Sequence, residues 1–188
     1  TKSTELDLVT KADKLSEKLI IKAIRKRFPT HQILSEEAGS INLKSEICHR
    51  APCGRNLKSE MLWVIDPLDG TTNFSHSFPF YCVSIALVQV PVRGGSPRET
   101  PLVGAVYNPT IDELFYAVRG KGAWLNNRRI RVSKVKRLTH GLLCTGFPYI
   151  IRQRPGDNFR NFQRFCLTAQ AVRRAGAAAL DLCYLAMG

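Results

Sequence analysis

The sequence predicts an α+β fold with layered packing, and three observations carry that prediction. A helix-periodic segment lies near the start, strand-like runs fill the middle, and helix-forming segments close the chain. With 188 residues the chain can build one good core, or two small ones packed together. An apolar fraction of 44% and a charged fraction of 23% suit a folded chain and argue against disorder.

Thr10 to Phe28 reads as the first helix. Thr10 and Asp13 resemble a capping box, with a carboxylate one carbon shorter than Glu in the third place. Leu15, Leu19, Ala23, Ile24 and Phe28 then recur near helical spacing and predict its apolar face. Pro29 stops the helix. Gln32 to Ser35 is a short strand that leads into Glu36-Glu37. Ala38 to Glu60 reads as a polar, irregular insertion. Leu-Lys-Ser-Glu occurs twice within it, which is too little for a structural repeat.

Met61 to Ile65 is an apolar strand that breaks into a turn at Asp66-Pro67-Leu68-Asp69-Gly70-Thr71-Thr72. Tyr81 to Val90 is a long strand, followed by a Pro/Gly turn region. Leu102 to Tyr107 and Glu113 to Val118 read as paired strands around Asn108-Pro109-Thr110. A basic hairpin follows, in which Gly120, Gly122 and Asn126-Asn127 mark turns and Ile130, Val132 and Val135 alternate with polar residues. Leu142 to Thr145 is a further strand. Helices are predicted over Asn158 to Ala169 and Leu180 to Ala186.

No stretch approaches the roughly 20 apolar residues that span a bilayer. Thr1 to Asp7 holds no apolar signal region, although the chain lacks an initiator Met and residues before it could have been removed. Six cysteines are spread along the chain, several of them in apolar strand or helix patterns, which fits small core residues better than a disulfide scaffold, so a reducing cytoplasm is expected. Cys48-His49 with Cys53 is half of a zinc pattern. No second pair stands at suitable spacing, so the segment reads as a loop.

The net charge of +13 is concentrated. Between Arg119 and Arg137 stand eight basic residues and no acidic one. Such a run attracts anions, RNA or an acidic protein surface. A solvated hairpin is the plainer reading, since no aromatic-rich recognition motif accompanies it.

The chemistry concentrates at Asp66 to Thr72. Two carboxylates three residues apart end an apolar strand, and Gly70-Thr71-Thr72 can present N–H groups and hydroxyls to an anion. Left alone, the carboxylates raise one another's pKa. Mg²⁺ removes the conflict, because it takes oxygen ligands and bridges carboxylates to phosphates. Glu36-Glu37 can add another ligand. From composition and spacing alone the two Asp side chains could equally cap a turn or helix.

The run Trp63-Val64-Ile65-Asp66-Pro67-Leu68-Asp69-Gly70-Thr71-Thr72-Asn73-Phe74, with His76 and Phe78-Pro79-Phe80, resembles the first signature of the inositol monophosphatase family. Asp7-Leu8-Val9-Thr10, Asp13, and Phe28-Pro29-Thr30-His31 leading to Ile33-Leu34-Ser35-Glu36-Glu37 are similar to its N-terminal blocks. Gly104 to Tyr107, Gly120-Lys121-Gly122-Ala123 and Arg173 to Asp181 match further blocks in order. Only Ala38 to Glu60 falls outside the resemblance.

The resemblance implies a layered α-β-α-β-α sandwich of the sugar phosphatase type. Residues 1–139 would form an N-terminal α+β metal-binding domain with a largely antiparallel sheet, and 140–188 a partial C-terminal α/β domain. It implies a Mg²⁺-dependent phosphomonoesterase that hydrolyses inositol monophosphate. Glu36, Asp66 and the Leu68 carbonyl would hold a first Mg²⁺ that activates water; Thr71 and Asp13 would orient and deprotonate that water. Asp66 and Asp69 would hold a second Mg²⁺. Gly70 and Thr71 N–H groups would grip the phosphate, while Asp69, Gly176 and Ala178 would contact substrate hydroxyls. Lys2 would match a mobile-loop lysine, and a homodimer is expected.

The family's second signature, a Trp-Asp pair whose Asp holds the second metal, is absent from these residues. The second domain is therefore expected to be incomplete, hydrolysis by these residues alone impaired, and apolar surface exposed near Leu182 and Leu185. The alternative is a catalytically impaired relative that uses its basic face as an RNA- or protein-interaction module.

Overall fold

The computed structural model describes residues 11–41, 59–91, 99–147 and 158–188. The expected insertion is thus described only at its ends, and Lys2, Asp7, Thr10, Cys48, His49 and Cys53 lie outside the described residues.

Helix α1 (Lys11–Arg27) places Asp13 in its first turn and Arg25, Lys26 and Arg27 in its last, which suits the helix dipole at both ends. Among the described residues a sheet of eight strands follows: β1 (Gln32–Ser35), β2 (Gly39–Ile41), β3 (Ser59–Asp69), β4 (Cys82–Pro91), β5 (Thr100–Asn108), β6 (Glu113–Val118), β7 (Gly122–Leu125) and β8 (Arg128–Arg129). Its order is β2-β1-β3-β4-β5-β6-β7-β8. Neighbours pair antiparallel except β1 and β3, which run parallel. A five-residue helix α2 (Thr71–Ser75) separates β3 from β4. Beyond the sheet, β9 (Leu142–Cys144) pairs parallel with β10 (Ala171–Arg173), on either side of α3 (Asn158–Thr168); α4 (Ala178–Met187) ends the chain.

Two apolar clusters set the layers. Ile24 of α1 packs with Ile33 and Ile65, joined by Ile20, Ile21, Trp63 and Ile85. On the other side, Leu180 and Ala177 pack with Cys82 and Phe115, joined by Phe80, Val106 and Tyr184. A helix therefore covers each face of the sheet, as layered α+β packing requires. The turn between α1 and β1 is fastened to β3: Trp63 Nε1 donates to His31 Nδ1 at 3.0 Å, and Phe28 stacks on His31 at 4.9 Å. Burial holds the His31 pKa below its ordinary value.

Several expectations change. The predicted apolar face of α1 points largely outward, with Leu15 60% and Leu19 59% exposed and Ala23 and Phe28 exposed too. Only Ile24 of that set is buried; the inward face carries Asp13, Glu17 and Ile24. Side chains at i, i+4 and i+7 share one helix face, and Leu15 lies about 200° around from Asp13. Packing of Ile20, Ile21 and Ile24 on the sheet thus turns the acids inward. The strand predicted to break at Asp66 runs on to Asp69 across a register shift. Helix α2 starts within the predicted turn, and strand β10 falls between the two predicted C-terminal helices. In the basic region, Asn126 (φ 45) and Asn127 (φ 67) close the β7–β8 hairpin in the left-handed conformation its tight turn needs. Residues 131–137 continue without a strand, leaving Val132 and Val135 exposed. Leu182 and Leu185 are exposed as expected.

These placements give a stability prediction. Ile33→Ala should cost about 2–5 kcal/mol in urea unfolding. Leu15→Ser and Leu19→Ser should each stay within about 0.5 kcal/mol.

Candidate active site

The site grows from the end of β3. Pro67 has no N–H to donate to a ladder, and pairing with β4 slips between Asp66 and Asp69. A bulge of this kind re-aims side chains. Leu68 N–H donates to Asp66 Oδ1 at 3.1 Å, fixing the first carboxylate across the bulge. Strand β1 runs beside β3 in register, Ser35 opposite Ile65, and Glu36 N–H donates to Ile65 O at 3.2 Å. That contact sets Glu36 beside Asp66.

Asp69 is held from far along the chain. Ala179 N–H at the start of α4 donates to Asp69 Oδ2 at 2.6 Å, and Cys82 Sγ lies 3.8 Å from the same oxygen. Gly70 follows at φ 93, left-handed backbone that glycine tolerates. A Cβ there would sit 3.0 Å from Phe80 O and 3.2 Å from Ala177 Cβ. Asn73 Nδ2 donates to Phe80 O at 2.7 Å and Ala175 O at 2.8 Å, and so ties α2 to the segment before α4. Gly176, at φ 94, packs against that amide: a Cβ there would meet Asn73 Nδ2 at 3.1 Å.

From α1, Asp13 reaches Thr71. The Thr71 hydroxyl is 3.3 Å from Asp13 Oδ1 and 3.0 Å from Leu68 O. It has one proton, so it donates to one of the two at a time. Asp13 itself is only 2% exposed.

Electrostatics make the cluster strained. Burial foremost, then the charges of Glu36 and Asp69 and a hydrogen bond shared with Glu36, push the Asp66 pKa up to about 7. Burial also raises Asp69, against the downward pull of the Ala179 and Ala178 N–H groups. Glu37 is raised by burial, then by Asp13, Glu36 and Glu17. Asp181 is raised by burial and by Asp69. Carboxylates crowded in this way can be relieved by a proton or by a cation. An all-oxygen donor set of Glu36, Asp66, Asp69 and the Leu68 carbonyl fits a hard divalent cation such as Mg²⁺.

The predicted residues Asp13, Glu36, Asp66, Leu68, Asp69, Gly70 and Thr71 therefore meet around the β3 bulge, with Ala178 joining through its N–H and Gly176 through Asn73. The acids do not close fully: among the described residues, no three His, Cys, Asp or Glu side chains converge tightly enough to hold a metal ion. Asp69 Oδ2 faces the start of α4 instead. Sequence reasoning missed Ser16, Glu17 and Asn73. The first two were legible in principle, three and four residues after Asp13 and hence on its helix face.

A model of the "Inositol monophosphatase family" matches residues 1–188. The chain belongs to the inositol monophosphatase family. It is 43% identical over 185 residues to an inositol-1-monophosphatase of Synechocystis sp., covering 97% of this chain and 56% of that protein. It is 42% identical over 187 residues to the Nus factor SuhB of Pasteurella multocida, covering 100% of this chain and 62% of that protein. The solved inositol monophosphatase from Anabaena superposes with a TM-score of 0.79 at 43% identity, over 98% of this chain and 64% of that one. An IMPase/NADP phosphatase complexed with Mg²⁺ and phosphate superposes with a TM-score of 0.71 at 26% identity, over 96% and 59%. The chain thus spans less than two thirds of the length of each of these relatives. Its sheet with a helix layer on each face agrees with the family's α/β sandwich.

The crowding of acids in this family member predicts a pH signature. Because the folded Asp66 pKa stands above its ordinary 3.8, its stabilising contribution is complete below that value and fades as pH rises through about 7. In thermal melts without divalent cation, Asp66→Asn should therefore gain stability relative to the parent chain as pH rises across that window. Added Mg²⁺ should stabilise the parent most on the alkaline side and Asp66→Asn little.

Proposed function

We propose that the protein carrying this chain is a Mg²⁺-dependent phosphomonoesterase that hydrolyses inositol monophosphate to inositol and phosphate. The observation that carries this reading is the placement of Asp66 between Glu36 and Asp69, with its pKa pushed up to about 7. Such a site gains free energy by taking a cation, and the family's phosphatases include one solved with Mg²⁺ and phosphate.

Glu36, Asp66 and the Leu68 carbonyl would hold one ion, and Asp66 with Asp69 a second. Bound Mg²⁺ would supply Lewis acidity that makes water nucleophilic and offsets charge on the phosphate. The remaining work belongs to the chain. The Asp13–Thr71 pair orients the attacking water and accepts its proton at the Asp13 carboxylate, a general-base role. N–H groups of Gly70 and Thr71 bind phosphate oxygens. Asp69, Gly176 and Ala178 contact the hydroxyls of the ring; Phe78-Pro79-Phe80 favours the inositol monophosphatase subgroup over fructose-bisphosphate or nucleotide phosphatases. We assign residues 1–139 to the metal-binding domain and 140–188 to part of the second. We also place the protein in the cytoplasm as a homodimer; the cysteines described (Cys82, Cys144, Cys166 and Cys183) are all free thiols, which fits a reducing compartment. No helix among the described residues is long and apolar enough to cross a membrane.

Phosphate release from inositol 1-phosphate should require Mg²⁺ and fall by roughly 100-fold or more in Asp66→Asn. Release that is independent of metal, or that survives this change, would end the assignment.

One observation favours a second reading, a basic RNA-interaction face. Arg119, Lys121, Arg128, Arg129, Arg131, Lys134, Lys136 and Arg137 are all exposed. Tyr116 and Trp124 stack at 5.3 Å on the neighbouring strands, and Arg129 pairs opposite Trp124. A relative 42% identical to this chain carries the name Nus factor SuhB rather than that of a phosphatase. Binding to single-stranded RNA in fluorescence anisotropy should weaken steeply as salt rises and fall further in Arg128→Ala/Arg129→Ala. No binding at low salt would remove this reading.

A further inference from the structure

Three side chains on one face of α1 each reach a different segment of the acidic site. Asp13 meets Thr71 at the start of α2. Ser16 Oγ donates to Pro67 O at 2.9 Å, inside the bulge between Asp66 and Asp69. Glu17 Oε1 accepts from Ala38 N–H at 2.9 Å, in the turn that carries Glu36. Positions 13, 16 and 17 share a helix face by their spacing, and Ile24 anchors the same face in the core. Glu17 is only 8% exposed. A buried carboxylate is costly unless it is hydrogen-bonded, so the bond to Ala38 accounts for its presence in a place where an apolar residue would pack more cheaply.

We propose that α1 is a latch that holds the three ligand-bearing segments in register, and that Glu17 and Ser16 are positioning residues for divalent-cation binding. Glu17 acts through the β1–β2 turn on Glu36, and Ser16 acts through the bulge on Asp66 and the Leu68 carbonyl. Neither touches the ion. The inference rests on the metal-site reading of Glu36, Asp66 and Asp69. It adds a claim of its own: the geometry of that site is set by hydrogen bonds from a helix whose other face is exposed.

The role of Glu17 is that of an acceptor, so Gln, which keeps a carbonyl oxygen at the same reach, should substitute for it. Binding of Mg²⁺ to the whole protein that carries this chain, followed by calorimetry, tests this. Glu17→Leu should weaken Mg²⁺ about tenfold, as expected when a group supporting a metal ligand is lost. Glu17→Gln should stay within about threefold of the parent, and Ser16→Ala should lose about threefold or more. Ile24→Ala, which loosens the same helix through the core, should lower the melting temperature yet leave Mg²⁺ affinity within about twofold. Should Glu17→Leu fail to fold, Ser16→Ala and Glu17→Gln decide alone. Unchanged affinity in both Glu17→Leu and Ser16→Ala overturns the latch, as does a loss in Ile24→Ala equal to that in Glu17→Leu. A Glu17→Gln variant as weak as Glu17→Leu overturns the acceptor role. Absence of Asp66-dependent Mg²⁺ binding in the parent protein is a different result, which removes the metal site itself.

Discussion

Burial of neighbouring carboxylates at the ends of β1 and β3 is the constraint around which the molecule is arranged. Asp66 and Asp69 sit on either side of a bulge in the longest strand, and Glu36 is brought against Asp66 by the parallel pairing of β1 with β3. Burial foremost, then the charges of Glu36 and Asp69, push the Asp66 pKa up to about 7, and burial raises that of Asp69. A fold does not retain such a conflict without a use, because removing one acid would relieve it at once. The surrounding structure resists relief. Pro67 keeps the bulge out of the ladder, Gly70 permits a backbone that a side chain would obstruct, and the start of α4 clamps Asp69.

That last contact has consequences for how the chain is organised. The Asp69–Ala179 hydrogen bond joins residues 110 positions apart and is charge-assisted, of a kind that contributes roughly 1.5–3 kcal/mol. Leu180, one residue on, is fully buried in the cluster that includes Cys82 and Phe115. Asn73 adds a second tie to the same region through Ala175 O. The acidic site and the docking of α4 are therefore one structural event. An altered site loop is felt in the core, and a displaced α4 frees the carboxylate.

Much of this was legible in the sequence, and the exceptions share a cause. Strand positions were readable because alternation and turn residues are local: Glu113–Val118 lies where the pattern placed it. Pairing order, the parallel β1–β3 contact and the layer each helix covers are not local. The site residues were readable only through the family's signature, since an Asp-Pro or Asp-Gly pair alone does not separate a metal ligand from a turn cap. The face of α1 was misread for a physical reason. Hydrophobic periodicity assumes that the apolar stripe goes inward, yet Leu15 and Leu19 are exposed while Asp13 and Glu17 are buried. Short elements also escaped: α2 has five residues and β10 three, too few to show a period.

The misread helix explains why polar residues can outcompete leucines for the interior. Each buried acid on α1 is met by a specific partner, Thr71 for Asp13 and Ala38 N–H for Glu17, so its desolvation is largely offset. Ile20, Ile21 and Ile24 supply the apolar burial from the C-terminal half of the same face. The helix is thus divided along its length: the half nearer the core packs, and the half nearer the site is hydrogen-bonded. Rotating it to bury Leu15 and Leu19 would strand the site loops and expose the isoleucines. The orientation observed is the one that satisfies both halves together.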